Sequence, residues 1–147
     1  MLGEFQFEGF IIKNIDYKAN PIEAGNEIPE SNEINFAYTL TNDEDTYLLS
    51  ILTHVINIQS NHFLDITVET RGRFVFQKDS EIDIEEKNKI IKENGSAIMF
   101  PYIRSVIYNL TCADSCNDPV IMPTINFSKI IEDIDKRNQK SNKEVIE

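Results

Sequence analysis

The sequence predicts an α+β domain: a four-stranded antiparallel sheet followed by two main C-terminal helices. Three observations carry this. Up to Phe76 the apolar residues recur mostly with a period of two, the spacing of a half-buried strand. Beyond Gln77 the spacing changes to i, i+3, i+4, i+7, that of a helix packed along one stripe. The strands also come first and the helices after, which separates an α+β domain from alternating βα units.

The first strand runs from Phe5 to Tyr17, with Phe5, Phe7, Gly9, Ile11, Lys13, Ile15 and Tyr17 expected on one face. Residues 19–33, with Pro21, Gly25 and Pro29 among several Glu and Asn, have no period and read as a long crossover loop. Ile34, Phe36, Tyr38 and Leu40 alternate with Asn35, Ala37 and Thr39 in a second strand, and Thr41 to Asp45 is a turn by composition. Tyr47 to Ile58 is apolar at both parities, which predicts a central strand covered on both sides. In the fourth strand Leu64, Ile66, Val68, Thr70, Gly72, Phe74 and Phe76 share one face. Asp65, Thr67, Glu69, Arg71 and Arg73 share the other, as in a sheet with one face on an apolar partner and one in water.

Asp83 to Glu93 is rich in Glu and Lys and predicts a short exposed helix that stops at Asn94-Gly95. Pro101 suits the first turn of a new helix or a kink, and Ile103, Val106, Ile107 and Leu110 form its apolar stripe. Phe127, Ile130, Ile131 and Ile134 repeat the spacing in a last helix, with Asn126 as N-cap. Residues 138–147 read as a frayed or disordered tail, which puts the domain at 1–137. The chain has more apolar stripes than one small domain can bury, and oligomerisation is the natural outlet.

At 147 residues the chain is one domain in length. Its formal charge is −11, from 14 basic and 25 acidic residues. Such a field repels nucleic-acid backbones and anionic lipid and favours basic polypeptides or cations. The N-terminus Met1-Leu2-Gly3-Glu4 has neither a basic region nor a leader-length apolar run, and no stretch approaches the roughly 20 apolar residues that cross a bilayer. Two cysteines, Cys112 and Cys116, make no disulfide framework, so a soluble protein of a reducing cytoplasm is expected. A zinc site usually takes four ligands, and the histidines, His54 and His62, fall on the sheet and its turn. Ordinary thiols at a helix end are the default for the cysteine pair. No Gly-rich phosphate loop and no Ser/His/Asp arrangement appears, so no cofactor, no metal and no catalytic residue is expected, and the chain does not read as an enzyme.

The most specific signal is two helix starts within thirty residues, Phe100-Pro101-Tyr102-Ile103-Arg104 and Pro123-Thr124-Ile125-Asn126-Phe127. They follow a Phe5-x-Phe7 opening strand that ends Ile15-Asp16-Tyr17-Lys18-Ala19-Asn20, and a Phe63-Leu64…Gly72-Arg73-Phe74 fourth strand. Over roughly residues 5–135 this pattern resembles the SecB family of protein-export chaperones. The resemblance implies a homotetramer built as a dimer of dimers, with Tyr102, Ile103, Val106, Ile107 and Leu110 in the interface between dimers. It implies an ATP-independent holdase that keeps unfolded or precursor polypeptides in long apolar grooves. The groove positions would be Ile34, Phe36 and Tyr38, then Val120, Ile121 and Met122, then Phe127, Ile130, Ile131 and Ile134. Flexible aliphatic and Met side chains suit a surface that holds many sequences.

There are departures from the family pattern. Where the export chaperones carry acidic sheet positions for the Sec translocase ATPase, this chain has Asn14, Lys18 and Thr67, with Asp65 and Glu69 on the neighbouring strand as substitutes. Cys112 to Asp118 replaces the usual Gly-containing turn. These departures weaken the case for translocase coupling more than for holding. They open an alternative, a SecB-like chaperone or adaptor dedicated to one partner such as an antitoxin.

Overall fold

A computed structural model describes residues 5–23, 25 and 27–146, with side chains described up to residue 139. Met1 to Glu4, read above for a leader, lie outside them. Four strands, β1 (Phe5–Pro21), β2 (Glu33–Asp43), β3 (Thr46–Ile58) and β4 (His62–Phe76), form one antiparallel sheet in the order β1-β4-β3-β2. Then come α1 (Ile84–Ile90), a π-helical turn (Ile91–Gly95), α2 (Ser96–Cys112) and α3 (Phe127–Ile146). The architecture expected from the sequence is the architecture observed.

The helices pack on one face of the sheet. Tyr47, Leu49, Ile51 and Val55 of β3 and Leu64, Ile66, Val68, Phe74 and Phe76 of β4 are buried against Ile91, Met99, Ile103 and Ile107. Leu48, Leu52 and Ile56 point the other way, and Leu52 is 40% exposed. The two-sided cover expected for β3 is therefore absent among the described residues of the single chain, because every helix lies on the same side.

β1 departs from simple alternation. Its register with β4 slips between Phe7 and Gly9 and again between Ile12 and Asn14. Each bulge inverts the faces. Phe5, Phe7, Phe10, Ile12, Ile15 and Tyr17 share the helix side, while Gly9, Ile11 and Asn14 lie on the outer side. Gly9 supplies the first bulge with φ +151°, a conformation that costs glycine little.

The expected helix stop at Asn94-Gly95 does not occur. The chain continues through the π turn, and Pro101 lies inside α2 rather than at its start. Asp83 caps α1, its side chain accepting from Glu86 N at 2.8 Å. Gly95 is present for packing, since a Cβ there would sit 3.1 Å from the Phe74 ring. Gly72 likewise lets α2 approach, since its Cβ would lie 2.7 Å from Met99 Sδ. Ser96 donates back to the carbonyls of Lys92 and Glu93, an alternative to the regular ladder at this irregular turn. The last helix continues through residues 138–146, which the sequence reading gave to a tail. That segment contains no Pro or Gly to break a helix.

Among the described residues one buried side-chain polar atom has no partner, Thr53 Oγ1, in the layer between Phe36 and Val68. An unpaired buried hydroxyl costs about 1–3 kcal/mol, and Val has nearly its shape. Thr53→Val is expected to raise stability by about 1 kcal/mol, read as a higher urea midpoint at unchanged slope.

Candidate functional site

A groove of about 290 Å³ opens between β2, the α2–α3 linker and α3. Ile34, Asn35 and Phe36 form one wall, Pro123 and Ile125 the end, and Ile130, Asp133 and Arg137 the other wall. Behind Phe36 lies an aromatic cluster. Phe127 packs against Phe36 at 4.9 Å and Phe100 at 4.6 Å between ring centroids. A larger hollow of about 390 Å³ between α1 and α3 is lined mostly by charged and amide side chains, including Glu85, Lys92 and Glu132. The apolar groove is the better candidate for holding polypeptide.

The sequence-derived groove residues divide in four. Ile34, Phe36 and Ile130 stand in the groove, half-buried. Val120, Met122, Phe127, Ile131 and Ile134 are buried inside the chain, and Phe127 packs behind Phe36. Ile121, 72% exposed, borders a separate hollow of about 340 Å³ along α2 with Pro101, Arg104 and Tyr108. Tyr38 ties β2 to α3. Its hydroxyl donates to Asp135 Oδ1, and Lys92 Nζ lies 3.6 Å from Asp135 Oδ2 and 5.6 Å from the ring centroid. Burial first, then the Asp135 carboxylate, pushes the Tyr38 pKa well above the ordinary tyrosine value, so the hydroxyl stays a donor. The groove also contains Pro123, Ile125, Asp133 and Arg137, which the sequence reading did not assign. Asp133 and Arg137 follow Ile130 at i+3 and i+7, a spacing that places them on its helix face.

The linker is held by amide and hydroxyl bonds. Asn117 Nδ2 donates to Tyr17 Oη at 2.9 Å and to the Thr111 carbonyl at 3.2 Å, and His62 Nε2 lies 2.5 Å from its Oδ1. Tyr17 Oη donates to Asp114 Oδ2 at 3.3 Å. The Gln59 amide exchanges two bonds with the Asp118 backbone, and Val120 N donates to Thr111 Oγ1 at 2.9 Å. This clamp sets where Val120 enters the core and hence where Pro123 and Ile125 meet β2. Removing it by Asn117→Ala is expected to cost about 1–2 kcal/mol, measured by urea unfolding. α2 ends at Cys112, so Cys116 falls in the turn beyond and the two thiols do not share a helix face.

Of the residues expected in an oligomer interface, Ile103 and Ile107 are buried on this chain's own sheet. Val106 and Leu110 are half-buried. Tyr102 is 48% exposed and stacks on Phe10 with ring centroids 5.2 Å apart. Asp65 and Glu69 lie on the outer sheet face, each beside a side-chain partner. His54 Nε2 is 2.7 Å from Asp65 Oδ1, and Lys13 Nζ is 3.1 Å from Glu69 Oε1. Lys18 and Asn14 stand directly across from them in the register. No described helix is long and apolar enough to cross a membrane.

The sheet order, the helices on one face and the groove under α3 define a SecB-like fold. The chain superposes on the Rv1957 SecB-like chaperone of Mycobacterium tuberculosis, solved in complex with a ChAD peptide from the Rv1956 HigA1 antitoxin. The TM-score is 0.68, over 84% of this chain and 92% of that one, at 15% identity. In sequence the chain is 23% identical over 146 aligned positions to the uncharacterized protein MJ0357 of Methanocaldococcus jannaschii, covering 92% of this chain and 88% of that one. No protein-family model matches.

Proposed function

We propose that the protein is an ATP-independent holdase chaperone that binds unfolded or precursor polypeptides in the β2–α3 groove. The observation that carries this is an apolar groove, open at the surface of a SecB-like fold and lined by Ile34, Phe36, Pro123, Ile125 and Ile130. In this reading the chain works in the cytoplasm as a homotetramer, a dimer of dimers assembled through Tyr102, Val106 and Leu110. It performs no catalysis, and the domain is residues 1–137. The half-buried Ile34, Phe36 and Ile130 touch the client, and the buried Phe127, Ile131 and Ile134 set the groove's shape. The test is aggregation of a chemically unfolded model protein with and without the chain. Suppression at stoichiometric amounts is expected, and its absence would remove the holding role.

A second reading is a chaperone dedicated to one partner, without translocase coupling. Two observations favour it. Glu69 is paired with Lys13 and Asp65 is hydrogen-bonded to His54, so both carboxylates are engaged by neighbours within the sheet. The SecB-like chaperone Rv1957 was solved with an antitoxin peptide. Pull-down from native cytoplasm separates the readings: many precursors support the general holdase, and one dominant partner supports the dedicated form. Titrating the chain into the translocase ATPase tests export coupling, and an unchanged ATPase rate excludes it.

A further inference from the structure

Cys112 is the last residue of α2 and Cys116 lies in the turn that follows, and both thiols are free and exposed. They do not share a helix face, yet the residues that flank them hold the two together. Thr111, just before the pair, accepts at its carbonyl from Nδ2 of Asn117, just after it, at 3.2 Å. Thr111 Oγ1 also accepts from Val120 N at 2.9 Å, and Asn117 N donates to the Asp114 carbonyl at 3.1 Å. Residues 112–116 therefore form a loop closed at its neck, with one cysteine on each side of the neck.

The neck is firm and the surface of the loop is open. Thr111 and Val120 are buried, and Asn117 is fixed further by Tyr17 Oη at 2.9 Å and His62 Nε2 at 2.5 Å. Cys112, Ala113, Ser115 and Cys116 are all exposed. Buried cysteines are inert, whereas exposed thiols meet small-molecule oxidants directly. Among the described residues no group of three or more His, Cys, Asp or Glu stands together in a way that could hold a metal ion, so the pair lacks the further ligands that a zinc site takes. Two accessible thiols on one closed loop have the arrangement that thiol–disulfide exchange uses, an attacking sulfur with a resolving one beside it.

We propose that Cys112 and Cys116 are a site of reversible oxidation, closing to a disulfide across the loop neck when a small-molecule disulfide of the glutathione class oxidises them. The thiolate of one cysteine attacks a sulfur of that disulfide, and the other small sulfur leaves as a thiolate. The second cysteine, as thiolate, then attacks the protein sulfur of the mixed disulfide and expels the remaining small thiolate. The chain gives up two electrons and two protons, and the oxidant becomes two thiols. A disulfide spans Cα atoms up to about 7 Å apart, and the closed neck keeps the two cysteines from separating. The bridge does with a covalent bond what Asn117 does with a hydrogen bond. It ties the end of α2 to the segment that delivers Val120 to the core and, beyond it, Pro123 and Ile125 to the end of the groove. In a reducing compartment the pair stays as thiols, and an oxidant adds the clip.

The test incubates the full chain with mixtures of oxidised and reduced glutathione, alkylates the remaining thiols and weighs the chain by mass spectrometry. A species about 2 Da lighter than the thiol form and closed to alkylation is expected, and excess reduced glutathione should reverse it. On a non-reducing denaturing gel it should run as a single chain. Cys116→Ser should stop at one glutathione adduct on Cys112, and Cys112→Ser at one on Cys116. Both positions are exposed, so these variants should fold, which circular dichroism checks. An unchanged mass, two adducts per chain, or a disulfide between chains in place of the internal bridge would overturn the proposal. Urea unfolding gives a second readout. Asn117→Ala removes the bond across the neck, and oxidation should raise the urea midpoint of that variant more than that of the parent chain. A lower midpoint for the oxidised parent would mean that the bridge forms only against the native neck, and the assignment would fail.

Discussion

Phe127→Ala is expected to undock α3 and to destabilise the chain by about 3–5 kcal/mol, the range for removing a large buried aromatic side chain. Phe127 is 3% exposed and joins three elements, since its ring meets Phe36 of β2 and Phe100 of α2. Ala would leave an unfilled space under the groove, and neither neighbouring ring could fill it from its own element. Against a total stability of about 5–15 kcal/mol this is a large fraction. Urea unfolding followed by far-ultraviolet circular dichroism measures it. Phe127→Leu, which keeps much of the volume, is expected to cost less than half as much. Equal costs for the two variants would mean that the aromatic contacts do not hold α3.

The second large effect is on holding. Ile34→Asp combined with Ile130→Asp puts a carboxylate on each wall of the groove. Fully burying one such side chain is worth about 1.5–3 kcal/mol, so loss of two apolar contacts should weaken an apolar client at least tenfold. Both residues are only half-buried, so the fold should survive, which circular dichroism checks. Leu52→Asp is the matched control. It places the same charge on the outer sheet face and is expected to leave aggregation suppression unchanged. Unchanged holding in the double variant, or equal loss in the control, would move the client site away from this groove.

The two variants reach different levels of what the sequence encodes. Phe36 and Phe127 were legible as inner-face residues from periodicity alone, because a strand or helix that buries one side must repeat its apolar residues at period two or 3.6. The same reasoning failed in β1, where two bulges exchange the faces. It placed Ile11 and Lys13 inward and left out Phe10, which in fact stacks under Tyr102. A bulge adds one residue without changing composition, so the pattern alone does not reveal it. Likewise Asn94-Gly95 reads as a helix stop, but the helix runs through it and Gly95 packs against the Phe74 ring, where a Cβ would be in tight contact at 3.1 Å. Local rules lost to a contact between residues distant in the chain.

In the groove, the sequence located the elements but not the division of labour within them. Periodicity placed Phe127, Ile131 and Ile134 together with Ile130, since all lie within one wide helical stripe. How α3 sits against β2 then buries the first three and half-opens the last, and the Tyr38–Asp135 bond joins the two elements there. By itself the sequence determined the α+β order, the strand faces apart from β1, and the resemblance to SecB. Only the tertiary structure decided that Asp65 and Glu69 each meet a side-chain partner, that Ile121 looks into a different hollow, and that β2 lies at the edge of the sheet. The physical reason is range. Periodicity and turn chemistry act over a few residues, whereas burial, ion pairing and sheet edges depend on elements brought together across nearly the whole chain.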